Sequence, residues 1–231
     1  MLAAIHQPNF FPWLGFFDKL KKAEIFIVLD QVQFPKKEGN WTNRTMILVQ
    51  KNPRWLTVPI VRSYHGFRLI NEVEMNEKIH WRKKMLDTLR FNYAKAPYYQ
   101  EIIPFLETLI NYQTRYLLRF NMHILEELMY ALRMDFAKVR FQSKLHSQGK
   151  ATDLLISLTK AVGADTYICG GGASEYQEDE KFRQNGIKLV YQSFQHPIYK
   201  QQQIKVFIPG LSIIDVLMNC GLAGTKRVIH G

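Results

Sequence analysis

LAAIHQPNFFPWLGFFDKLKKAEIFIVLD, residues 2–30, is the stretch that decides the fold class. Leu2, Ala3, Ala4 and Ile5 form a short apolar run, and Pro8 and Pro12 follow too soon for a helix. A proline inside a helix removes one hydrogen bond and clashes with the preceding turn, so the run reads as a buried strand. Residues 12–22 read as a short helix after a proline-punctuated loop. Residues 24–30, with Ile25, Phe26, Ile27 and Val28 at their centre, are the clearest strand in the chain. Strand, loop, helix, strand opens an α/β unit, and a parallel sheet is its consequence. In such sheets ligands bind at the carboxyl ends of strands, which places His6-Gln7-Pro8-Asn9 and Asp30-Gln31 on one functional edge.

Further along, residues 45–49, 55–60 and 69–73 read as short strands. From about residue 79 to 133 the apolar positions recur at three and four: Trp81, Met85, Leu86 and Leu89, then Ile102, Ile103, Leu106 and Leu109, then Leu117, Leu118, Met122 and Leu125. That period predicts three helices forming an insert or cover. Alternation then returns, with strands at 138–142, 166–169 and 187–191 and helices at 152–161 and 178–184. A last helix starts at a serine cap, Ser212, and is expected to stop near Gly221. No repeat or linker is visible, so the expectation is a single α/β domain over residues 1–231. Its core is a mostly parallel, Rossmann-like sheet flanked by helices.

Composition narrows the function classes. Of 231 residues 47% are hydrophobic and 13% aromatic, enough for a buried core and against disorder. No apolar run approaches the roughly 20 residues that span a bilayer, and the N-terminus lacks a basic leader followed by a long apolar stretch. Cys169 and Cys220 make no disulfide framework, so the expected setting is cytoplasmic with reduced thiols. The net charge of +11 suits an anionic partner. The basic residues are dispersed, however, and no polybasic tail is present to follow a phosphate backbone, so a nucleic-acid partner is not expected.

His6 is the first candidate for chemistry. A histidine directly after a buried strand can act as base or acid near neutral pH, or simply satisfy loop backbone groups. Asp30 ends the neighbouring strand and would orient the imidazole, unless it is a turn residue. Asn43 and Arg44 offer an amide and a planar fork suited to phosphate or carboxylate. Gly170-Gly171-Gly172 follows a strand and could cradle an anion, but it has neither dinucleotide nor P-loop spacing, and a plain tight turn reads equally well. Ser212 and Asp215 read as helix-capping residues. The seven histidines show no HxxxH or HxH spacing, so no metal is expected, and no cofactor.

HQPNFFPWLGFF, FIVLDQVQF, WTNR and WLTVPI, followed by GADTYICGGGASEY, FRQNGIKLVYQSFQHPIYKQ and LSIIDVLMNCG, make a pattern that resembles the WbqC-like protein family. The resemblance runs from residue 5 to about residue 221, with its segments in family order. It implies a bacterial protein tied to surface-polysaccharide (O-antigen-like) gene clusters, and an enzyme transferring an acyl or aminoacyl group onto an activated sugar. Carried over by position, it points to His6, Gln7, Pro8, Asp30, Asn43, Arg44, Gly170, Tyr176, Tyr199, Ser212 and Asp215. The opening unit also resembles, in topology alone, nucleotidyltransferases of the HUP type.

The expected function is therefore a transferase with His6 and Asp30 catalytic, and with Gln7, Asn43, Arg44, Gly170, Tyr176 and Tyr199 binding substrate. The expected partners are a small anionic substrate such as a nucleotide sugar and an acyl or aminoacyl carrier protein. A non-catalytic module binding a sugar nucleotide or acyl carrier is the alternative.

Overall fold

The computed structural model describes residues 1–35, 40–170, 178–202 and 204–231. The described chain forms two compact units. The first comprises Met1–Pro8, Gly15–Val32 and Phe136–Gln195, and the second comprises Asn9–Leu14, Gln33–Asp135 and His196–Gly231.

The first unit is the α/β body anticipated from residues 2–30. Its strands are β1 (Leu2–His6), β2 (Ile25–Val28), β5 (Val139–Phe141), β6 (Thr166–Cys169) and β7 (Lys188–Tyr191). Its helices are α1 (Leu14–Lys22), which starts at the boundary residue, α5 (Ala151–Ala161) and α6 (Asp179–Gln184). Among the described residues the sheet runs β5-β2-β1-β6-β7, and every pairing is parallel. Counted in the sheet's own chain order this is 3-2-1-4-5, the doubly wound arrangement. The order reverses between β1 and β6, the position at which doubly wound sheets take a ligand in a crevice outside the carboxyl ends of the strands.

Strand parity assigns the two faces of this sheet. Ile5, Ile27, Tyr167 and Cys169 pack with Ile156 and Leu158 of α5 and Phe182 of α6 in one buried cluster. The alternate residues look the other way, because successive strand side chains point to opposite faces. Phe26 meets Phe16 of α1 with ring centroids 5.1 Å apart, and His6 meets the same ring at 4.9 Å. His6 is thus on the α1 face while its neighbour Ile5 is in the α5–α6 core.

The second unit holds the hairpin β3 (Arg44–Val49) and β4 (Asn52–Thr57) and the helices α2 (Trp81–Tyr93), α3 (Tyr99–Ile110), α4 (Leu117–Ala131) and α7 (Ile213–His230). The three helices expected over residues 79–133 are α2, α3 and α4, each burying the face its period predicted: Met85 and Leu89, Leu106 and Leu109, Leu125 and Leu128. The hairpin turns through Gln50 and Lys51, both at positive φ (49° and 66°), as a tight two-residue turn requires. Phe11 is also at positive φ (38°), a costly conformation for a bulky residue. Its carbonyl is held there by the hydroxyls of Thr45 (2.9 Å) and Ser212 (2.8 Å).

Two expectations in this unit are corrected. Residues 69–73 form no strand: Ile70–Glu72 is a 3₁₀ turn, stabilised by the Glu72 carboxylate accepting from the Leu69 amide at 2.9 Å. The last helix does not stop near Gly221. It bends there (φ 67°, ψ 176°) and resumes, with the Glu101 carboxylate accepting from the Leu222 amide at 3.1 Å. Gly221→Ala is expected to be strongly destabilising. The backbone conformation alone costs a side chain about 1–3 kcal/mol, and the new Cβ would sit 2.5 Å from the Tyr98 ring. Urea unfolding of the variant checks this, and a change within about 0.5 kcal/mol, the range of a neutral surface substitution, would contradict it.

Candidate functional site

The crevice between β1 and β6 is the site the first unit presents. His6, the last residue of β1, is half-buried. Its Nδ1 lies 2.9 Å from the carbonyl oxygen of Gln7, and a carbonyl can only accept, so Nδ1 carries the hydrogen. The lone pair is then on Nε2, which has no hydrogen-bond partner among the described residues. Burial pushes the imidazole pKa down to about 3, assisted by the positive charge of Lys19 and opposed by the Gln7 carbonyl. His6 is therefore neutral at pH 7, with a free nitrogen able to accept a proton.

That shift has a consequence for stability. A histidine whose folded pKa lies below its unfolded value takes up protons in the unfolded chain first. Stability associated with His6 is complete above about pH 6.5 and is lost as pH falls towards 3. The steepest slope is about 1.4 kcal/mol per pH unit. His6→Asn is expected to lose less stability than wild type over that window. Equal losses on acid titration followed by circular dichroism would show that His6 does not titrate this way.

Lys19 is the residue the sequence reading passed over. It is only 5% exposed. Phe16, Lys19, Leu20 and Ala23 lie at i, i+3, i+4 and i+7, the buried stripe of α1, so an inward lysine was readable from its position on the apolar face. Its neighbours are already engaged. Asp18 pairs with Lys22 at 2.8 Å and accepts from the Gln192 amide at 2.8 Å. Among the described residues no carboxylate lies within ion-pairing distance of Lys19, and no acceptor hydrogen-bonds it. A Cβ built on Gly170 would be 3.6 Å from Lys19 Nζ, which puts the ammonium at the carboxyl end of β6. Burial lowers its pKa to about 8, with the Cys169 thiol opposing the shift. A desolvated and unpaired ammonium costs several kcal/mol, about the effective penalty for one buried ion, and a bound anion offsets that cost.

The other expected residues are placed as follows. Asp30 is buried and its carboxylate accepts from the Ser143 amide at 2.9 Å. No hydrogen bond joins it to His6, whose Nδ1 is engaged by Gln7, so the expected orienting contact is absent. His6 ends β1 with Gln7 next to it, and Gly170 directly follows β6, so all three lie at the carboxyl ends of the two paired strands. Tyr176, Gly171 and Gly172 lie outside the described residues. In the second unit Asn43 is buried and fully engaged: its Nδ2 donates to the Val58 carbonyl (3.0 Å) and its Oδ1 accepts from the Asn40 amide (3.1 Å). The Arg44 guanidinium stacks on Trp55 at 4.2 Å, and its buried Nε has no hydrogen-bond partner among the described residues. Ser212 caps α7, accepting from the Ile214 amide. Asp215, expected to cap, instead lies fully buried and accepts from the hydroxyls of Tyr93 (2.9 Å) and Tyr199 (2.7 Å). Tyr199 is therefore held by a buried carboxylate.

The segment joining β1 to α1 has no glycine before Gly15, so the glycine-rich turn of dinucleotide-binding folds is missing. A sequence model of the WbqC-like protein family matches residues 7–227, nearly the whole chain, including Gln7, Asn43, Arg44, Gly170, Tyr199 and Asp215. The chain belongs to the WbqC-like protein family. A relative in Mycobacterium tuberculosis (strain ATCC 25618 / H37Rv), the uncharacterized protein Rv1507c, is 28% identical over 225 residues, covering 94% of this chain and 93% of its own. No solved structure matches the chain. In this WbqC-like protein the carboxyl ends of β1 and β6 carry His6, Gln7 and Gly170. Among the described residues no helix is long and apolar enough to cross a membrane.

Proposed function

We propose that this WbqC-like protein is a cytoplasmic transferase that moves an acyl or aminoacyl group onto a nucleotide-linked sugar, in bacterial surface-polysaccharide synthesis. The observation that carries the reading is the neutral His6, its Nε2 free, beside a buried cation at the point where the strand order reverses. In the reaction an amine or hydroxyl of the acceptor gives its proton to His6 Nε2, and its nitrogen or oxygen attacks the carbonyl carbon of the activated acyl group. The tetrahedral adduct collapses, the carbonyl re-forms, and the donor's leaving group departs with the proton from Nε2. A thioester donor, free or on a carrier protein, would leave as a thiol. Proton transfer of this kind contributes about 10²–10⁴-fold to rate.

His6 by itself is a weak base, because burial disfavours the imidazolium and the charge of Lys19 adds to that effect. An anionic substrate beside Lys19 offsets the part of the shift that Lys19 causes and so raises the imidazole's basicity. The same weak basicity is the observation that favours the alternative, a module that binds a sugar nucleotide or acyl carrier without turnover. Incubation with nucleotide sugars and acyl or aminoacyl thioesters, followed by mass spectrometry, separates the two. A product heavier by the acyl group supports the transferase. Bound ligand recovered unchanged from every combination supports the module.

A further inference from the structure

We propose that Lys19 is the anion-binding residue of the β1–β6 crevice and that the group it takes is a phosphate. This rests on reading the crevice as the substrate site, and it names the part of the substrate that the site grips.

Three observations converge on Lys19. It is buried on the apolar stripe of α1 and has no carboxylate partner among the described residues. The neighbouring acid, Asp18, is already engaged by Lys22 and Gln192. The ammonium stands at the carboxyl end of β6 and acts electrostatically on His6 at the end of β1. Among the described residues the charged and titratable groups around it are the engaged Asp18–Lys22 pair on its own helix, His6 on β1 and Cys169 on β6. None of these supplies a counter-charge.

The shape of the cation selects the ligand. A carboxylate is planar and is matched by the two-pronged guanidinium of arginine, whereas a lysine ammonium is a point charge suited to one oxygen of a tetrahedral phosphate. None of the groups found around this ammonium is an arginine. Arg44, the anion-binding residue expected from sequence, belongs to the second unit and stacks on Trp55. A phosphate could come from a nucleoside diphosphate or from free phosphate, and the experiment separates them.

The test is calorimetric titration of wild type and Lys19→Met with a nucleoside diphosphate, inorganic phosphate and acetate, from about pH 7 to pH 10, spanning the Lys19 transition. Melting temperatures without ligand are measured alongside. Wild type is expected to bind phosphate-bearing probes in preference to acetate. Tighter binding of the diphosphate than of free phosphate points to a nucleotide, and the reverse order to a free phosphate. Affinity is expected to fall about tenfold per pH unit above pH 8, as Lys19 loses its proton. Lys19→Met should weaken phosphate binding at least about tenfold, one charge-assisted contact, and should melt at a higher temperature than wild type, because a buried unpaired charge has been removed.

Unchanged affinity in Lys19→Met, a flat pH profile, or no binding of any phosphate probe by wild type overturns the assignment. So does a variant that melts lower than wild type, since Lys19 would then belong to the fold. Transfer that depends on His6 while phosphate binding ignores Lys19 removes this inference alone. Phosphate binding that requires Lys19, with no transfer in any mixture, removes the transferase reading alone.

Discussion

His6→Ala is expected to lower turnover by about 10²–10⁴-fold, the usual contribution of a positioned proton acceptor. The fold should survive, because His6 is the half-buried last residue of β1 and the β1 backbone bonds do not depend on its ring. Phosphate affinity should also persist, because the variant leaves Lys19 in place. The loss should therefore fall on kcat rather than on binding, the signature of an interaction made in the transition state. For wild type, kcat/KM should decline above about pH 8 as the free enzyme's Lys19 deprotonates. A His6→Ala protein with wild-type turnover would end the assignment of His6 as the base.

The second large effect lies in the other unit. Asp215 is fully buried near the start of α7 and accepts from Tyr93 Oη at 2.9 Å, Tyr199 Oη at 2.7 Å and Gln201 Nε2 at 3.3 Å. Tyr93 Oη in turn accepts from the Leu48 amide at 3.1 Å, so the carboxylate ties α2 to α7 and, through Tyr93, to β3. Asp215→Ala strands two buried phenols at once. Leaving these buried hydroxyls without their acceptor is expected to destabilise by about 1–3 kcal/mol for each group. Tyr93→Phe removes two hydrogen bonds, the one donated to Asp215 and the one accepted from the Leu48 amide, and should lose about 1–3 kcal/mol. Burial raises the Asp215 pKa while the three donors oppose the rise. Its stabilising contribution is therefore largest at acid pH and declines as pH rises through the folded pKa. Urea unfolding of the single and double variants measures the coupling. An Asp215→Ala protein as stable as wild type would show that the network is not what holds these elements together.

Much of the first unit was legible before any coordinates. The Leu2–Ile5 run, the prolines after it and the β-branched stretch at Ile25–Val28 dictate a parallel α/β opening through local rules of backbone geometry. Helices α2, α3 and α4 were legible for the same reason, since a three-and-four apolar period has one solution. Elements that rest on a single polar contact were not. The 69–73 segment has strand-like residues, yet one bond from Glu72 to the Leu69 amide turns it into a 3₁₀ turn. The kink at Gly221 looked like a helix end because glycine serves both purposes, and the resumed helix is capped from Glu101, far away in sequence.

By itself, then, the sequence determined the class of fold, the position of His6 at a strand end and the family to which the chain belongs. These follow from periodicity, proline placement and motif order, all of which are local. Only the tertiary structure decided what surrounds each polar group. It gave the Asp30 carboxylate to Ser143 instead of His6, turned Asp215 from a cap into the centre of a tyrosine network, and left Lys19 buried without a counter-charge among the described residues. The physical reason is that pairing and desolvation depend on which distant segments meet, as Gln192 meets Asp18 across 174 residues of chain. Those meetings are set by sheet order and packing, which no short window of sequence contains.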